Sequence, residues 1–383
     1  MKIVLMGPAY PLRGGIAQYL AVLYEKLRDA GHDVHFVSFI KQFPTWLFPG
    51  KTQLEHSEHV IDVHPTAKFA PLGVLSWRRT AKEIARHDPD LVVFKWWMPF
   101  FGPGYWAVAR WLRKHTKARV LFIIDNTIPH EARPGDKFLT KLVFGQVDYF
   151  IAQSRAVEKD TFEWFPHLER NRIKMCPHPI YDCYPAFVGD RPAAKKVLGL
   201  PTDAKTLLFF GFVREYKGLH LLLDALPQIR KSHPDLRLLV VGEFYDSRES
   251  YDRKIQELGL PECVYIRDDY VPNEEVGKYF AAADCVVLPY RSATQSGIIQ
   301  VAYALDLPVI TTDVGGLAEV VENDVTGYVV PPGSPAALAD AVNRFYEAGG
   351  RPAFEANVKQ ASRQFSWEGL VKTLTGFIEE DKS

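Results

Sequence analysis

Short apolar runs alternate with longer amphipathic segments from one end of the chain to the other. Apolar runs bounded by Gly, Pro or polar residues are typical of buried β-strands, and apolar residues that recur about every three to four positions are typical of helices. In the first half the predicted strands are Lys2–Met6, Val34–Phe39, Leu91–Lys95, Arg119–Ile124 and Asp148–Ala152, and the predicted helices are Ile16–Asp29 and Tyr105–Lys117.

The same alternation restarts in the second half of the chain. It is typical of parallel sheets covered by helices on both faces, so the predicted fold class is α/β. Strands are predicted at Thr206–Phe210, Leu236–Val241, Val264–Ile266, Cys285–Leu288, Val309–Thr312 and Tyr328–Val330, and helices at Leu219–Arg230, Tyr251–Leu258, Glu274–Ala281, Gly297–Ala304, Leu317–Val321 and Pro335–Glu347.

The segment Cys176–Leu200 interrupts this alternation with four prolines and predicts a linker. We therefore expect two doubly wound, Rossmann-like domains over residues 1–180 and 181–364. The last predicted helix, Phe365–Glu380, lies in the segment 365–383, which we expect to pack back on the first domain. Ligands of doubly wound sheets bind beyond the carboxyl ends of the strands, so two such domains facing each other would enclose a central cleft.

Composition narrows the function classes. The 383 residues carry 46 Lys and Arg against 46 Asp and Glu, a net charge of zero that argues against a general nucleic-acid binder. The charge is unevenly spread, because residues 1–175 hold 25 basic against 17 acidic residues (+8) and residues 176–383 hold 21 against 29 (−8). The first half is therefore suited to an anionic surface or substrate.

Cysteine usage and hydropathy indicate the compartment. The four cysteines form no CxxC pair, which argues against both a zinc site and a disulfide framework and fits a reducing cytosol. The apolar stretch at the N-terminus is too short for a signal peptide, and no apolar run reaches the roughly 18 residues of a membrane-spanning helix. We expect a cytoplasmic protein.

The segment Phe209–Gly218, FFGFVREYKG, is the most informative in the chain. It follows a predicted strand, carries Arg214 and Lys217, and leads at Gly218 into a predicted helix. Backbone N–H groups at a helix N-terminus bind anions, and two cations at the same place add the charge that a diphosphate requires. The alternative is an ordinary solvated loop with surface Arg and Lys.

A second candidate anion site is the first strand-to-helix loop, Gly7–Gln18. Gly14 and Gly15 stand where the helix begins, and glycines there allow a phosphate to approach the backbone closely. The loop matches neither the GxGxxG dinucleotide fingerprint nor the GxxxxGK[ST] phosphate loop. The alternative is a simple tight turn.

A third candidate is the polar loop after the strand Cys285–Leu288, which leads through Ser296 into a helix at Gly297. The following loop, Thr311–Glu319, ends in a Gly-Gly pair before the predicted helix Leu317–Val321. Helix N-termini at successive strand ends of one sheet would supply further anion donors. The alternative is ordinary helix capping.

Two further clusters follow strands of the first half. Asp125–Glu131, DNTIPHE, brings polar groups to a strand end, where they could act in acid–base chemistry or orient a polar substrate, although a lone His is more often structural. Aromatic and basic residues are dense in Trp77–Arg79, Lys95–Phe101 and Tyr105–Lys117. They suit a membrane interface, but we favour a buried core for most of the rings.

Together these motifs resemble a known family. RGG at Arg13–Gly15, GFVREYKG at Gly211–Gly218 and PVITTDVGGLAEVVENDVTGYVVPPG at Pro308–Gly333 look like the retaining glycosyltransferases of family 4, the glycosyl transferases group 1 with the GT-B fold. The third block is highly specific, and the first two gain weight from appearing in the same order. The resemblance covers essentially the whole chain.

The resemblance implies a reaction and its residues. A nucleotide-diphosphate sugar would bind mainly to the C-terminal domain and the acceptor to the N-terminal domain, with retention of anomeric configuration, no cofactor and no obligatory metal. The implied donor-diphosphate residues are Arg214, Lys217, Gly14 and Gly15; the sugar or nucleotide residues are Gln295, Ser296, Gly297, Ile298 and Gln300; the catalytic candidates are His130 and Asp125; and the acceptor-side residues are Asn126 and Glu131.

The chain departs from the family pattern at two places. The family's Glu-x7-Glu pair falls on Ala293 and Val301, so the ribose and sugar hydroxyls must be held differently, with Gln295, Ser296 and Gln300 as the nearest polar replacements. Asp125 stands where the related HN-x-x-PHE variant has its first His, while His130 keeps the second. The role of the first His passes to Asp125, to His130 or to neither.

The function expected from these observations is transfer of a sugar to a glycan or lipid-linked acceptor, in the synthesis of cell-surface polysaccharide or glycolipid. The protein would act in the cytoplasm, at the inner face of the membrane, with peripheral membrane contact through its N-terminal domain and no nucleic-acid partner. Because both glutamates are missing, a non-catalytic sugar- or nucleotide-binding protein on the same fold is an alternative, and a nucleotide-sugar epimerase is another.

Overall fold

The computed structural model describes residues 1–44, 48, 50–129 and 133–382. The chain divides into two compact units. Unit 1 comprises Met1–His56, Val60–Pro179 and Ser366–Ser383, and unit 2 comprises Ser57–His59 and Ile180–Phe365. Each unit is built on its own sheet.

Unit 1 is a parallel α/β unit around a seven-stranded sheet of order β3-β2-β1-β4-β5-β6-β7. Its central strands are buried on both faces, as the continuous apolar runs predict. The elements are β1 (Lys2–Met6), α1 (Gly15–Asp29), β2 (Asp33–Phe39), β3 (Thr66–Phe69), α2 (Val74–Arg86), β4 (Leu91–Trp96), α3 (Gly102–His115), β5 (Arg119–Ile124), α4 (Asp136–Phe144), β6 (Tyr149–Ala152), α5 (Arg155–Trp164) and β7 (Ile173–Met175), with single 3₁₀ turns at Pro99–Phe101 and Arg170–Arg172.

Unit 2 is a parallel α/β unit around a six-stranded sheet of order β10-β9-β8-β11-β12-β13. Its elements are α6 (Arg191–Val197), β8 (Thr206–Phe210), α7 (Leu219–Ser232), β9 (Arg237–Val241), α8 (Arg248–Glu257), β10 (Val264–Arg267), α9 (Asn273–Ala282), β11 (Cys285–Leu288), α10 (Gly297–Ala304), β12 (Val309–Thr312), β13 (Gly327–Val330), α11 (Pro335–Glu347) and α12 (Arg351–Ala361), with 3₁₀ turns at Glu215–Lys217 and Ser362–Gln364.

The last helix, α13 (Trp367–Lys382), belongs to unit 1. Trp367 is 2% exposed and packs against Tyr19 of α1, with 5.1 Å between the ring centres. Phe377 stacks on Tyr149 of β6 at 4.6 Å. The chain therefore leaves unit 1 after Pro179 and returns to it at Ser366 to complete its core.

The two-domain α/β prediction is confirmed, and every predicted strand is present to within one residue at either end. The elements that the pattern missed are short or mainly polar, so their apolar face is too narrow to stand out. These are β3, α2, α4, α5, β7, α6 and α12.

Two predictions are wrong. Residues Leu317–Val321 form successive turns with i to i+3 hydrogen bonds and no helix. The segment Cys176–Leu200 is not simply a linker, because α6 lies within it. Asp190 caps that helix by accepting a hydrogen bond from the N–H of Ala193 at 2.9 Å.

Most of the aromatic side chains between β4 and α3 are core, as we favoured. Trp96, Phe101 and Tyr105 are at most 1% exposed. Trp77 and Trp106 are half-buried and pack against the same core. The rings therefore stabilise unit 1 chiefly by burial.

Glycine allows two close backbone approaches at the carboxyl edge of unit 2. Gly218 has a φ of 69°, and a Cβ there would lie 2.0 Å from the carbonyl oxygen of Pro289. Gly315 has a φ of 51°, and its Cβ would lie 1.7 Å from the carbonyl oxygen of Ala293. Both positions therefore require glycine for the backbone angle and for space.

Gly218→Ala should destabilise unit 2 strongly. The left-handed angle alone costs about 1–2 kcal/mol for alanine, and forcing apart the packed backbone adds about 1–3 kcal/mol. Gly333→Ala is the matched control, because its φ is 75° and nothing lies within 4 Å of the added Cβ. Urea unfolding of both variants measures the difference. Equal midpoints would show that the contact with Pro289 is unimportant.

Candidate active site

The loop after β8 carries both predicted diphosphate residues. Gly211 follows the strand with a φ of 100°, and Arg214 immediately precedes a 3₁₀ turn over Glu215–Lys217. Gly218 then begins α7. This turn folds Lys217 back towards the strand, since a Cβ on Gly211 would lie only 3.3 Å from the Lys217 ammonium.

Neither cation of this loop is neutralised. Lys217 is 9% exposed, and within the described part of the chain neither Lys217 nor Arg214 forms an ion pair. Burial, together with the smaller effect of the nearby Arg214 charge, lowers the pKa of Lys217 to about 8. A buried ammonium without a counter-ion is costly, and a bound anion would remove that cost, which makes this loop a candidate anion site.

Tyr290 links this loop to the next strand end. The Lys217 ammonium lies 5.6 Å from the centre of the Tyr290 ring, and the Tyr290 hydroxyl is hydrogen-bonded to the side chain of Ser296. Burial raises the pKa of Tyr290, so its hydroxyl keeps its proton. The aromatic ring therefore supports the ammonium and also positions the residue before α10. Tyr290 was not among the site residues predicted from the sequence.

The N-terminus of α10 offers backbone donors. Ser296 precedes the helix without capping it through its side chain. In the described residues the N–H groups of Gly297 and Ile298 have no hydrogen-bond acceptor. An uncapped helix start with two available donors suits an anion or a sugar hydroxyl.

The Gly-Gly pair at 315–316 supports this loop instead of starting a helix. Gly315 lies against the carbonyl of Ala293, and the N–H of Gly316 donates to the carbonyl of Thr294 at 2.9 Å. The expected anion site at Leu317 is therefore absent, because no helix begins there. The pair instead fixes the residues just before Gln295 and Ser296.

The remaining predicted donor residues differ in exposure. Gln295 is half-buried at the tip of the loop. Gln300 is 2% exposed on the inner face of α10, and its Oε1 has no partner among the described residues. Ala293 and Val301, where the family pattern has glutamates, are buried at 8% and 4% exposure.

Three aromatic side chains follow successive strands β8, β9 and β10 beside the cationic loop. Phe212 stacks on Tyr245 with 4.6 Å between ring centres, and Tyr270 lies 6.5 Å from Phe212. The Arg214 guanidinium lies 4.9 Å from the centre of the Tyr245 ring. Rings at this edge offer a surface of the kind on which nucleobases stack. The sequence signal that could have predicted this surface is the aromatic residue that follows each of the three strands.

In unit 1 the first loop begins α1 without a side-chain cap. Gly14 has a φ of 113° and occupies the N-cap position, and Gly15 is exposed as the first residue of the helix. No acidic side chain lies in the first turn. The structure thus places a helix N-terminus at Gly14 and Gly15, and their role as a phosphate site stays a prediction.

Asp125 and Asn126 follow β5 at the carboxyl edge of the unit 1 sheet. The N–H of Asp125 donates to the carbonyl of Trp96 at 2.8 Å, which continues the strand pairing. The Asn126 amide donates to the carbonyl of Trp97 at 3.3 Å. His130 and Glu131 lie outside the described residues. The structure therefore brings two of the four predicted polar groups to this edge.

Unit 2 also has a cavity of about 580 Å³ at the opposite, amino edge of its sheet. One ion pair lies in its wall, since Arg191 bonds to Asp284 at 2.8 Å, and the Tyr346 hydroxyl donates to the same carboxylate at 3.2 Å. This cavity is separate from the cationic loop. Ligands of doubly wound sheets bind at the carboxyl edge, so the candidate site is assigned there.

In the part of the chain that the structure covers, no group of three or more His, Cys, Asp or Glu could hold a metal ion. None of the four cysteines, all of which are described, forms a disulfide. None of the described helices combines the length and the apolar character needed to cross a membrane.

The curated proteins that are similar to this chain include two D-inositol 3-phosphate glycosyltransferases. D-inositol 3-phosphate glycosyltransferase 1 of Catenulispora acidiphila is 32% identical over 206 residues, which is 51% of this chain and 49% of the relative. The D-inositol 3-phosphate glycosyltransferase of Acidothermus cellulolyticus is 26% identical over 286 residues, 71% of this chain and 62% of the relative. The chain thus spans about half to 62% of the length of these relatives.

Among solved structures, the Anabaena protein Alr3699/HepE in complex with UDP has a TM-score of 0.77 and 18% identity, covering 99% of this chain and 100% of that one. The same protein has also been solved with UDP-glucose. This likeness shows the fold, two parallel-sheet α/β domains of the GT-B type. The family model for Glycosyltransferase Family 4 matches residues 13–181, and that for Glycosyl transferases group 1 matches residues 204–348. The chain therefore belongs to glycosyltransferase family 4, the group 1 glycosyltransferases with the GT-B fold.

Proposed function

We propose that this protein is a retaining glycosyltransferase that moves a sugar from a nucleotide-diphosphate donor to a glycan or lipid-linked acceptor. The observation that carries the proposal is the pair of cations after β8, Arg214 and Lys217, which form no ion pair in the described residues although Lys217 is 9% exposed. A diphosphate supplies the missing negative charge. As the donor bond breaks, the two cations stabilise the charge that develops on the leaving diphosphate.

The proposed donor site uses the rest of the carboxyl edge of unit 2. The N–H groups of Gly297 and Ile298 bind the sugar or its phosphate, and Gln295 and Ser296 bind sugar hydroxyls. Gln300, whose side chain is buried, binds the donor sugar or nucleotide when a movement of α10 exposes it. The rings of Phe212, Tyr245 and Tyr270 stack on the base. No metal is required, because the two side-chain cations already compensate the diphosphate charge.

The proposed contribution of unit 1 is the acceptor side. Gly14 and Gly15 at the start of α1 approach the donor phosphates. Asp125 and His130 are the catalytic candidates, and Asn126 and Glu131 contact the acceptor. The names of the two curated relatives specify transfer to an inositol phosphate, and the Anabaena neighbour binds UDP. These names support a hydroxyl acceptor and a nucleotide donor without fixing either for this chain.

Lys217→Ala should weaken binding of nucleoside diphosphates. A charge-assisted hydrogen bond contributes about 1.5–3 kcal/mol, so the loss should be about 10- to 100-fold in Kd. Isothermal titration calorimetry with UDP, GDP and ADP measures this loss of affinity. Turnover of the glucose derivative of whichever nucleotide binds should fall as well. Lys196→Ala, an exposed lysine of α6, is the control. Parent-like affinity in the Lys217 variant would disprove the diphosphate assignment.

We further propose peripheral binding to the cytoplasmic face of a membrane, where lipid-linked acceptors of cell-surface polysaccharide or glycolipid synthesis are found. The α2 surface, defined as Leu72, Val74, Leu75, Arg78 and Arg79, supports this. Its three aliphatic side chains are 64%, 66% and 77% exposed, and both arginines are exposed beside them. Exposed aliphatic residues next to cations suit an anionic lipid surface.

The double variant Leu72→Ser/Leu75→Ser should lower partitioning onto vesicles of phosphatidylglycerol and phosphatidylcholine roughly tenfold or more, because each leucine loses more than about 1 kcal/mol of apolar transfer. Co-sedimentation at low salt measures it. The control Val188→Ser/Val197→Ser removes two unit 2 side chains that are 97% and 62% exposed. A parent protein that stays in the supernatant, or an equal loss in the control, would refute the contact.

A further inference from the structure

Unit 1 buries an ion pair that includes the candidate catalytic residue Asp125. Lys95, on β4, is 1% exposed, and its ammonium lies 2.6 Å from Oδ1 of Asp125. The Asp125 side chain is 10% exposed, so it reaches the surface where Lys95 does not. The lysine is sealed within the unit, while the carboxylate stands at the carboxyl edge directly after β5.

The Lys95 ammonium is enclosed by a polar network. It donates a short hydrogen bond to Oε1 of Gln153, and it lies 3.7 Å above the centre of the Tyr19 ring. The Gln153 amide in turn donates to the Tyr19 hydroxyl at 2.7 Å. The carboxylate, the amide and the aromatic ring together hold the ammonium in one place.

His178 closes the network from the segment where the chain leaves unit 1. Its ring lies 5.0 Å from that of Tyr19, and its Nδ1 is 2.7 Å from the carbonyl oxygen of Pro179, to which it donates. Burial lowers the pKa of His178 to about 3, with the charge of Lys95 acting in the same direction. His178 is therefore neutral, and Lys95 and Asp125 are the charged groups of the network among the described residues.

Such a pair is weak support for stability. Two charges lose hydration on burial, and an apolar pair of similar size is often as stable. Burial lowers the pKa of Lys95, and the neighbouring Asp125 counteracts that effect. The arrangement is better explained by the carboxylate that it holds, which stands at the edge where ligands of such sheets bind.

We propose that Lys95 is a positioning residue, which fixes the Asp125 carboxylate so that it accepts a hydrogen bond from a hydroxyl of the bound sugar substrate. Lys95 does not touch the substrate itself; it acts through Asp125. Gln153 and Tyr19 hold the lysine in turn. The inference rests on the proposed glycosyltransferase function and assigns a role within it that the sequence motifs did not indicate.

Lys95→Met tests the inference, since it keeps the length of the side chain and removes the charge. Turnover of UDP-glucose to UDP should fall at least about tenfold. The acidic limb of the pH–rate profile should move to higher pH, because the carboxylate loses its counter-charge. The Kd for UDP should stay within about twofold, because Arg214 and Lys217, the side-chain cations proposed to bind the diphosphate, lie in unit 2 and are unchanged.

Lys174→Met is the matched control. Lys174 also pairs with a carboxylate, that of Glu380 at 2.7 Å, and lies 4.4 Å from the centre of the Phe377 ring, but it is on β7 outside the network. This control should keep the parent rate and pH profile. If the role of Lys95 were purely structural, Lys95→Met would have a lower melting temperature but would keep the turnover rate of the parent and the acidic limb of its pH–rate profile. That result would overturn the inference.

Lys95→Met takes the lysine charge away from the buried Asp125 carboxylate and could prevent folding. The double variant Lys95→Met/Asp125→Asn removes both charges and should fold, and it should be as slow as Asp125→Asn alone. A double variant as fast as the parent would overturn the inference. If the parent turns over none of UDP-glucose, GDP-mannose and ADP-glucose, the proposed function itself fails, and the positioning role fails with it.

Discussion

Two cations without a carboxylate partner in the described residues, Arg214 and Lys217, lie together after β8 of unit 2, and the proposed donor site depends on them. Lys217 is buried and lies close enough to Arg214 for the second charge to lower its pKa. A folded protein tolerates that cost when an anion completes the site. The glycine at 218, the ring of Tyr290 and the open start of α10 all serve this arrangement, because they bring backbone donors and a supporting ring to the same sheet edge.

The buried lysine of unit 1, in contrast to Lys217, has a carboxylate partner. Lys95 is neutralised by Asp125 and enclosed by Gln153 and Tyr19. A paired lysine is suited to holding another side chain in place, whereas an unpaired one is suited to holding a ligand. The proposed roles of the two lysines therefore differ because their partners in the fold differ.

The sequence predicted most of the strands, the longer helices and the position of the cationic loop because all of these are local patterns. Arg214 and Lys217 lie three residues apart between a strand and a helix, so their proximity could be foreseen. The network around Lys95 could not, because Gln153 is 58 residues away and Tyr19 lies 134 residues from Gln153. The Gly-Gly pair at 315–316 was misread for a related reason, since its φ angle and its contact with Ala293 depend on the packing of another loop.

The most direct test of the account is the proton uptake that accompanies UDP binding. Lys217 has a pKa of about 8 in the unliganded protein, and a bound diphosphate should raise it. Titration calorimetry of UDP binding near pH 8.5, in buffers of different ionisation enthalpy, should show uptake of a large fraction of one proton. The affinity for UDP should fall by up to about tenfold per pH unit above the pKa of Lys217. Lys217→Arg should bind without uptake, because arginine stays charged. Binding without proton uptake in the parent, or equal uptake in the arginine variant, would contradict the central claim.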